Sequence, residues 1–121
     1  IAIFSYADDH EGRLPAAEPL PSQPVDPTNA LPPITHVLAY YVGYNTNNMP
    51  KGVSVFRCPK DQFGYFEREG SSYQWEYMMN NRYLDMRRDK QPLMYDYENF
   101  HSGGTNGSKF IVFSDGHVGK F

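Results

Sequence analysis

Apolar residues follow two rhythms along this chain. At the start, Ile1, Ile3, Phe4 and Ala7 recur at helical spacing, so residues 1–10 predict the last turns of a helix. Gly12 stands where a left-handed C′ residue would end it. Ile34, Val37, Leu38 and Tyr41 repeat the helical rhythm, and Thr35 to Tyr44 predicts a second, short helix. Further on the period drops to two. Val53 to Cys58 predicts a strand stopped by Pro59, and Ser72 to Met78 a second with Tyr73, Trp75 and Tyr77 on one face. Pro92 to Tyr97 predicts a third. Phe110 to Phe113, then Asp115-Gly116, then the run to Phe121 predict a closing hairpin. Asp-Gly suits a type I′ turn, which needs positive φ at both central residues.

Between these elements the breakers cluster. Pro15, Pro19, Pro21, Pro24, Pro27, Pro32 and Pro33 crowd residues 14–33, which excludes a helix interior or a central strand there. The stretch predicts an extended connection over the surface. A turn is expected around Asp61 to Gly64, and Asn80-Asn81 breaks the second strand. The small-residue loop Ser102 to Ser108 lacks the Lys-Ser/Thr ending of a phosphate cradle. Helix, long connection, short helix and antiparallel sheet make an α+β layout. With 121 residues it is a single domain, 1–121, with one modest core.

Charge and cysteine usage narrow the function classes. The net charge is −3, and the basic residues Arg82, Arg87, Arg88 and Lys90 are interrupted by Asp85 and Asp89. A nucleic-acid groove needs uncompensated positive charge, so nucleic acid is not an expected partner. The one cysteine, Cys58, excludes an intrachain disulfide. With no histidine adjacent to it in sequence, it reads as a small buried apolar residue rather than a nucleophile.

Asp96, Glu98, His101, Asp115 and His117 form the best candidate cluster, because the third strand and the hairpin could bring them together. Asp with His suits zinc or another transition metal, whereas Asp with backbone carbonyls suits calcium. The competing reading gives Asp115 to the turn and lets His117 pack on the sheet. Asp8, Asp9 and Glu11 could form a loop-type calcium site, but the EF-hand spacing is absent and a solvated, glycine-capped helix end explains them as well. Ser114, His117 and Asp96 supply the residue types of a hydrolase without the Gly-x-Ser-x-Gly elbow. Tyr73, Trp75 and Tyr77 could stack a sugar, or they could be core packed beneath a helix.

Several short motifs occur in a familiar order: Tyr6-Ala7-Asp8-Asp9-His10-Glu11-Gly12-Arg13-Leu14-Pro15, Phe56-Arg57-Cys58-Pro59-Lys60-Asp61, Ser72-Tyr73, Asp96 with His101, and Phe113-Ser114-Asp115-Gly116-His117-Val118. In this the chain resembles pseudopilin-like proteins with a prepilin-type N-terminal cleavage and methylation segment, related to the major pseudopilin of type II secretion. The resemblance spans almost the whole chain. It implies an exported, non-enzymatic head at the periplasm or cell surface. It also implies an apolar spine upstream of Ile1, about 20 residues long as a bilayer span requires. That spine would anchor the protein in the inner membrane and pack it against other copies or other pseudopilins. Calcium is bound at a sheet loop in the major pseudopilins and is the one cofactor the resemblance allows. The expected function is therefore that of a filament subunit. The alternatives are a secreted carbohydrate- or ligand-binding module using the Tyr73, Trp75 and Tyr77 face, and a metal-dependent enzyme.

Overall fold

The computed structural model describes residues 2–43, 55–85, 87, 91–98, 100 and 109–120. Helix α1 spans Ala2–Asp9. Helix α2, Ile34–Leu38, runs on as a 3-10 turn over Ala39–Val42 and stops at Gly43, which is left-handed at φ 85°. Tyr44, the expected end of that helix, lies outside the described residues. Helix α3 covers Tyr65–Glu69, and the strands are β1 (Tyr73–Trp75), β2 (Pro92–Asp96), β3 (Phe110–Phe113) and β4 (Val118–Lys120). They form one antiparallel sheet in the order β1-β2-β3-β4. The α+β layout is as expected.

The core sits where α1 and α2 meet the sheet. Ile3 of α1, Leu14, Ala17, Ile34, Leu38, Phe56, Trp75, Met79, Leu93 and Met94 form one buried cluster. Ile3 and Ala7, four residues apart on one helical face, are the buried residues of α1. Phe4 reaches the other end of the sheet, where its ring lies 3.5 Å from the place a Cβ on Gly116 would occupy. A second, smaller cluster joins Cys58, Tyr97 and Phe100.

The α1 terminus differs by one residue from expectation. Gly12 N–H donates to Ala7 O at 2.7 Å, the long bond of a Schellman cap. That geometry puts Glu11, at φ 58°, in the C′ position, with Gly12 left-handed after it at φ 85°. Beyond the cap the chain turns and pairs with a distant segment. Leu14 N–H donates to Arg82 O and Leu84 N–H to Gly12 O, both at 2.8 Å. Arg13 stacks over the Tyr83 ring at 4.5 Å and donates to Asn81 O.

Two strand expectations and one turn expectation are corrected. In the Val53–Cys58 segment, residues 53 and 54 lie outside the described residues, and 55–58 are turn and irregular chain. Phe56 O accepts from Ser72 N–H and Cys58 N–H donates to Ser72 Oγ, so a serine side chain stands in for a ladder. The second strand ends at Trp75, because Glu76 accepts from Met78 N–H and starts a 3-10 turn over Tyr77–Met79. Tyr77 therefore leaves the strand face. The hairpin forms as expected, with Phe110, Ile111 and Val112 opposite Lys120, Gly119 and Val118. Its turn is not type I′, since Asp115 is not among the described non-glycine residues with positive φ. Gly116 alone is left-handed, at φ 94°. Gly116 N–H donates to Phe113 O and Phe113 N–H to His117 O, the pattern of a three-residue loop closed by a glycine bulge. His101 and the Ser102–Ser108 loop lie outside the described residues.

Candidate functional site

The hairpin holds Asp115 and His117 together. His117 N–H donates to Asp115 Oδ1 at 3.0 Å, and the His117 ring nitrogen Nδ1 meets the same oxygen. The ring lies flat on Phe113, 4.5 Å between centroids. The backbone bond from His117, then its ring, hold the Asp115 carboxyl below the usual carboxylate range. Both oxygen and ring are thus engaged in fixing the turn.

Asp96 is at the opposite end of β3. Its Oδ2 accepts from Phe110 N–H at 3.0 Å, whereas Asp115 follows Phe113 at the far end of the strand. The expected cluster of Asp96, Asp115 and His117 is therefore split by the length of a strand. The register that causes this, Tyr95 opposite Ile111, could not be read from spacing alone. Among the described residues no group of three His, Cys, Asp or Glu side chains is placed to hold a metal ion, including at Asp8, Asp9 and Glu11. The same separation parts Ser114 and His117 from Asp96 as a nucleophile, base and orienting acid, and Ser114 is itself buried.

Trp75 is fully buried at 0% exposure, and its indole N–H donates to Asn80 Oδ1 at 2.6 Å. Asn80 in turn accepts from Ala17 N–H and donates to Ala17 O. Trp75 is core, Tyr73 packs half-buried against it, and Tyr77 has left the strand face, so the three rings do not form a sugar platform. Tyr73 spans both clusters, and burial, then the neighbouring Cys58 and Asp96, push its phenol up to about 12. Burial also pushes the Cys58 thiol up, which leaves it protonated at neutral pH and a poor nucleophile, as expected.

What the Cys58-Pro59-Lys60-Asp61 motif does is local. Gly64, just before α3, has no side chain with which to cap the helix. Asp61 caps it from further back: Oδ1 accepts from Phe63 N–H at 3.1 Å, and Oδ2 from Phe66 N–H at 3.0 Å and from Ser72 Oγ at 2.8 Å. Burial raises the Asp61 pKa, but the bonds from Ser72 and from the Phe66, Phe63 and Tyr65 amides outweigh it and leave the carboxyl below its ordinary value. A depressed folded-state pKa contributes stability above the unfolded value, about 4, and loses it as pH falls through the folded value. Asp61→Ala is expected to cost about 2 kcal/mol at neutral pH through the lost cap and the stranded Ser72 hydroxyl. That cost should shrink as pH falls below the ordinary carboxylate range and the folded-state carboxyl is protonated. Urea unfolding at neutral and at acid pH checks both.

Two buried carboxylates escaped the sequence reading. Glu18 (3% exposed) accepts from Val25 N–H at 2.9 Å and Leu31 N–H at 2.8 Å. Glu69 (6% exposed) accepts from Ser22 N–H at 2.8 Å and Ser22 Oγ at 2.6 Å. Together they pin the proline-rich connection to the body, and the Tyr97 hydroxyl donates to Pro19 O beside them. The sequence offers a signal only in hindsight: acidic residues flanking a segment whose backbone donors have no ladder.

In the basic run, Arg87 pairs with Asp85 at 3.0 Å on the surface. No helix among the described residues is long and apolar enough to cross a membrane. No protein-family model, curated protein or solved structure matches the chain.

Proposed function

We propose that this chain is the globular head of a structural subunit in a type II secretion or type IV pilin-like assembly, carried on an N-terminal helical spine and working by packing rather than by turnover. The observation that carries this reading is the way α1 enters the fold. Ile3 is buried in the same cluster as Trp75, Leu93 and Met94 of the sheet, so the helix is part of the core. A stalk that transmits position to a head must be joined to it rigidly, and this join is fixed at both ends: Phe4 against Gly116, and the Glu11–Gly12 cap followed by pairing of 12–14 with 82–84.

The motifs behind the pseudopilin resemblance fall at this join and at the supports behind it. The stretch from Tyr6 to Pro15 makes the helix end and its pairing, Asp61 caps α3, and Asp115-Gly116 forms the turn under Phe4. Each has a packing role that needs no catalytic step. In the reading proposed here the spine upstream anchors the subunit in the inner membrane, the head lies in the periplasm or at the cell surface, and the partners are other copies or related subunits.

Cell fractionation of the native gene product tests this. The expected result is a polypeptide in the membrane fraction, released by detergent but not by high salt, with an apolar stretch of about 20 residues upstream of Ile1. A protein recovered without detergent, with a polar upstream sequence, would contradict it.

A further inference from the structure

We propose that the groove between the proline-rich connection, α3 and β1 binds an acidic saccharide, a short oligosaccharide bearing a uronate carboxylate. The groove holds about 350 Å³, inside the range of small-ligand clefts, roughly 300–1,000 Å³. Ser22 and Gln23 line it from the connection, Tyr65, Arg68 and the buried Glu69 from α3, Gln74 from β1 and Tyr97 from the residue after β2. These walls are held before any ligand arrives. Ser22 is fixed by Glu69, Tyr65 stacks on Tyr97 at 4.6 Å, and the Arg68 guanidinium lies 4.8 Å over Tyr65 while its Nη1 donates to Phe63 O.

The class of ligand follows from which polar groups are already engaged. Every nearby carboxylate has a partner: Glu69 accepts from Ser22, Glu67 pairs with Arg57 at 3.0 Å, and Glu98 accepts from the Tyr65 hydroxyl at 2.7 Å. Arg68 meets no carboxylate among the described residues, and a guanidinium has donors to spare after a single bond. The side-chain amides of Gln23 and Gln74 make no hydrogen bond to any described residue. A planar guanidinium fits a carboxylate with two parallel bonds. Carboxamides, which donate and accept at once, fit neighbouring hydroxyls. Among the described residues Arg68 is the one cation in the groove lining, and a single guanidinium suits a single carboxylate better than a doubly charged phosphate. A neutral ligand would leave the guanidinium without its natural partner. The site is independent of the spine, so sugar binding and membrane fractionation report on separate readings.

The probe is digalacturonic acid, titrated into the isotope-labelled chain and followed by NMR. Saturable shifts of the Gln23 and Gln74 side-chain amide signals are expected, and cellobiose and acetate should bind at least about tenfold more weakly. Arg68→Gln and Gln74→Ala should each weaken digalacturonate by about tenfold or more, in proteins whose remaining spectrum shows the native fold. Absence of saturable shifts up to about 10 mM, equal binding of cellobiose, or affinity unchanged in Gln74→Ala overturns the proposal. Gln74 is the second check because its side chain supports no other described residue, so its removal does not disturb the fold.

Discussion

Trp75→Ala should lower stability by about 4 kcal/mol, the largest single loss expected in this protein. The side chain is at 0% exposure, it belongs to the buried cluster that joins residues of α1, α2 and the sheet, and its indole N–H is the bond that draws Asn80 against Ala17. Truncation opens a cavity in the main core cluster and leaves an indole-sized gap beside the half-buried Asn80 amide. In denaturant the midpoint should fall with little change in slope. Trp75→Phe should lose about half as much, because the ring volume is partly kept while the donor to Asn80 is gone. Trp75 is the only tryptophan, so its fluorescence also reports on the native state. Acrylamide should quench it weakly until the chain unfolds.

The second large effect is expected at Glu18. Glu18→Ala should cost about 3 kcal/mol, since it leaves the Val25 and Leu31 amides without their acceptor in a partly buried loop. The consequence should be local as well as global. Amide exchange at Val25 and Leu31 should accelerate together, while amides of β2 and β3 lose only the protection set by the global change. Glu18→Gln separates shape from charge. One oxygen becomes an NH₂ that faces an N–H, so one of the two amides should lose protection and the other keep it.

How far the sequence could be read depended on how local each decision was. β2 and the hairpin were legible because short apolar runs, a leading Pro92 and an Asp-Gly turn all act over a few residues. Helix α1 was legible from the spacing of Ile3, Phe4 and Ala7. Helix α3 was missed because five residues, Tyr65–Glu69, are too few to show a period, and the side chain that caps it stands at Asp61. The roles of Glu18 and Glu69 were hidden because Glu69 reaches Ser22 across 47 positions of sequence. The candidate cluster failed on register: residue types alone placed Asp96 with Asp115 and His117, and only strand pairing shows that β3 lies between them. Tyr77 was assigned to the strand because its alternation is correct, but Glu76 caps the 3-10 turn that removes it.

The stalk reading stands on α1 being an integral part of the head. Native-state hydrogen exchange on the backbone amides of Ala7 through Asp9 and of Gly12 measures this directly, with the β2 and β3 amides as the internal reference. If Ile3 and Ala7 hold the helix in the core, these amides open only with the sheet and share its protection. Exchange at the rate of a fraying terminus, while the sheet stays protected, would mean that the helix merely rests on the head and that the account of a rigid stalk-bound subunit is wrong.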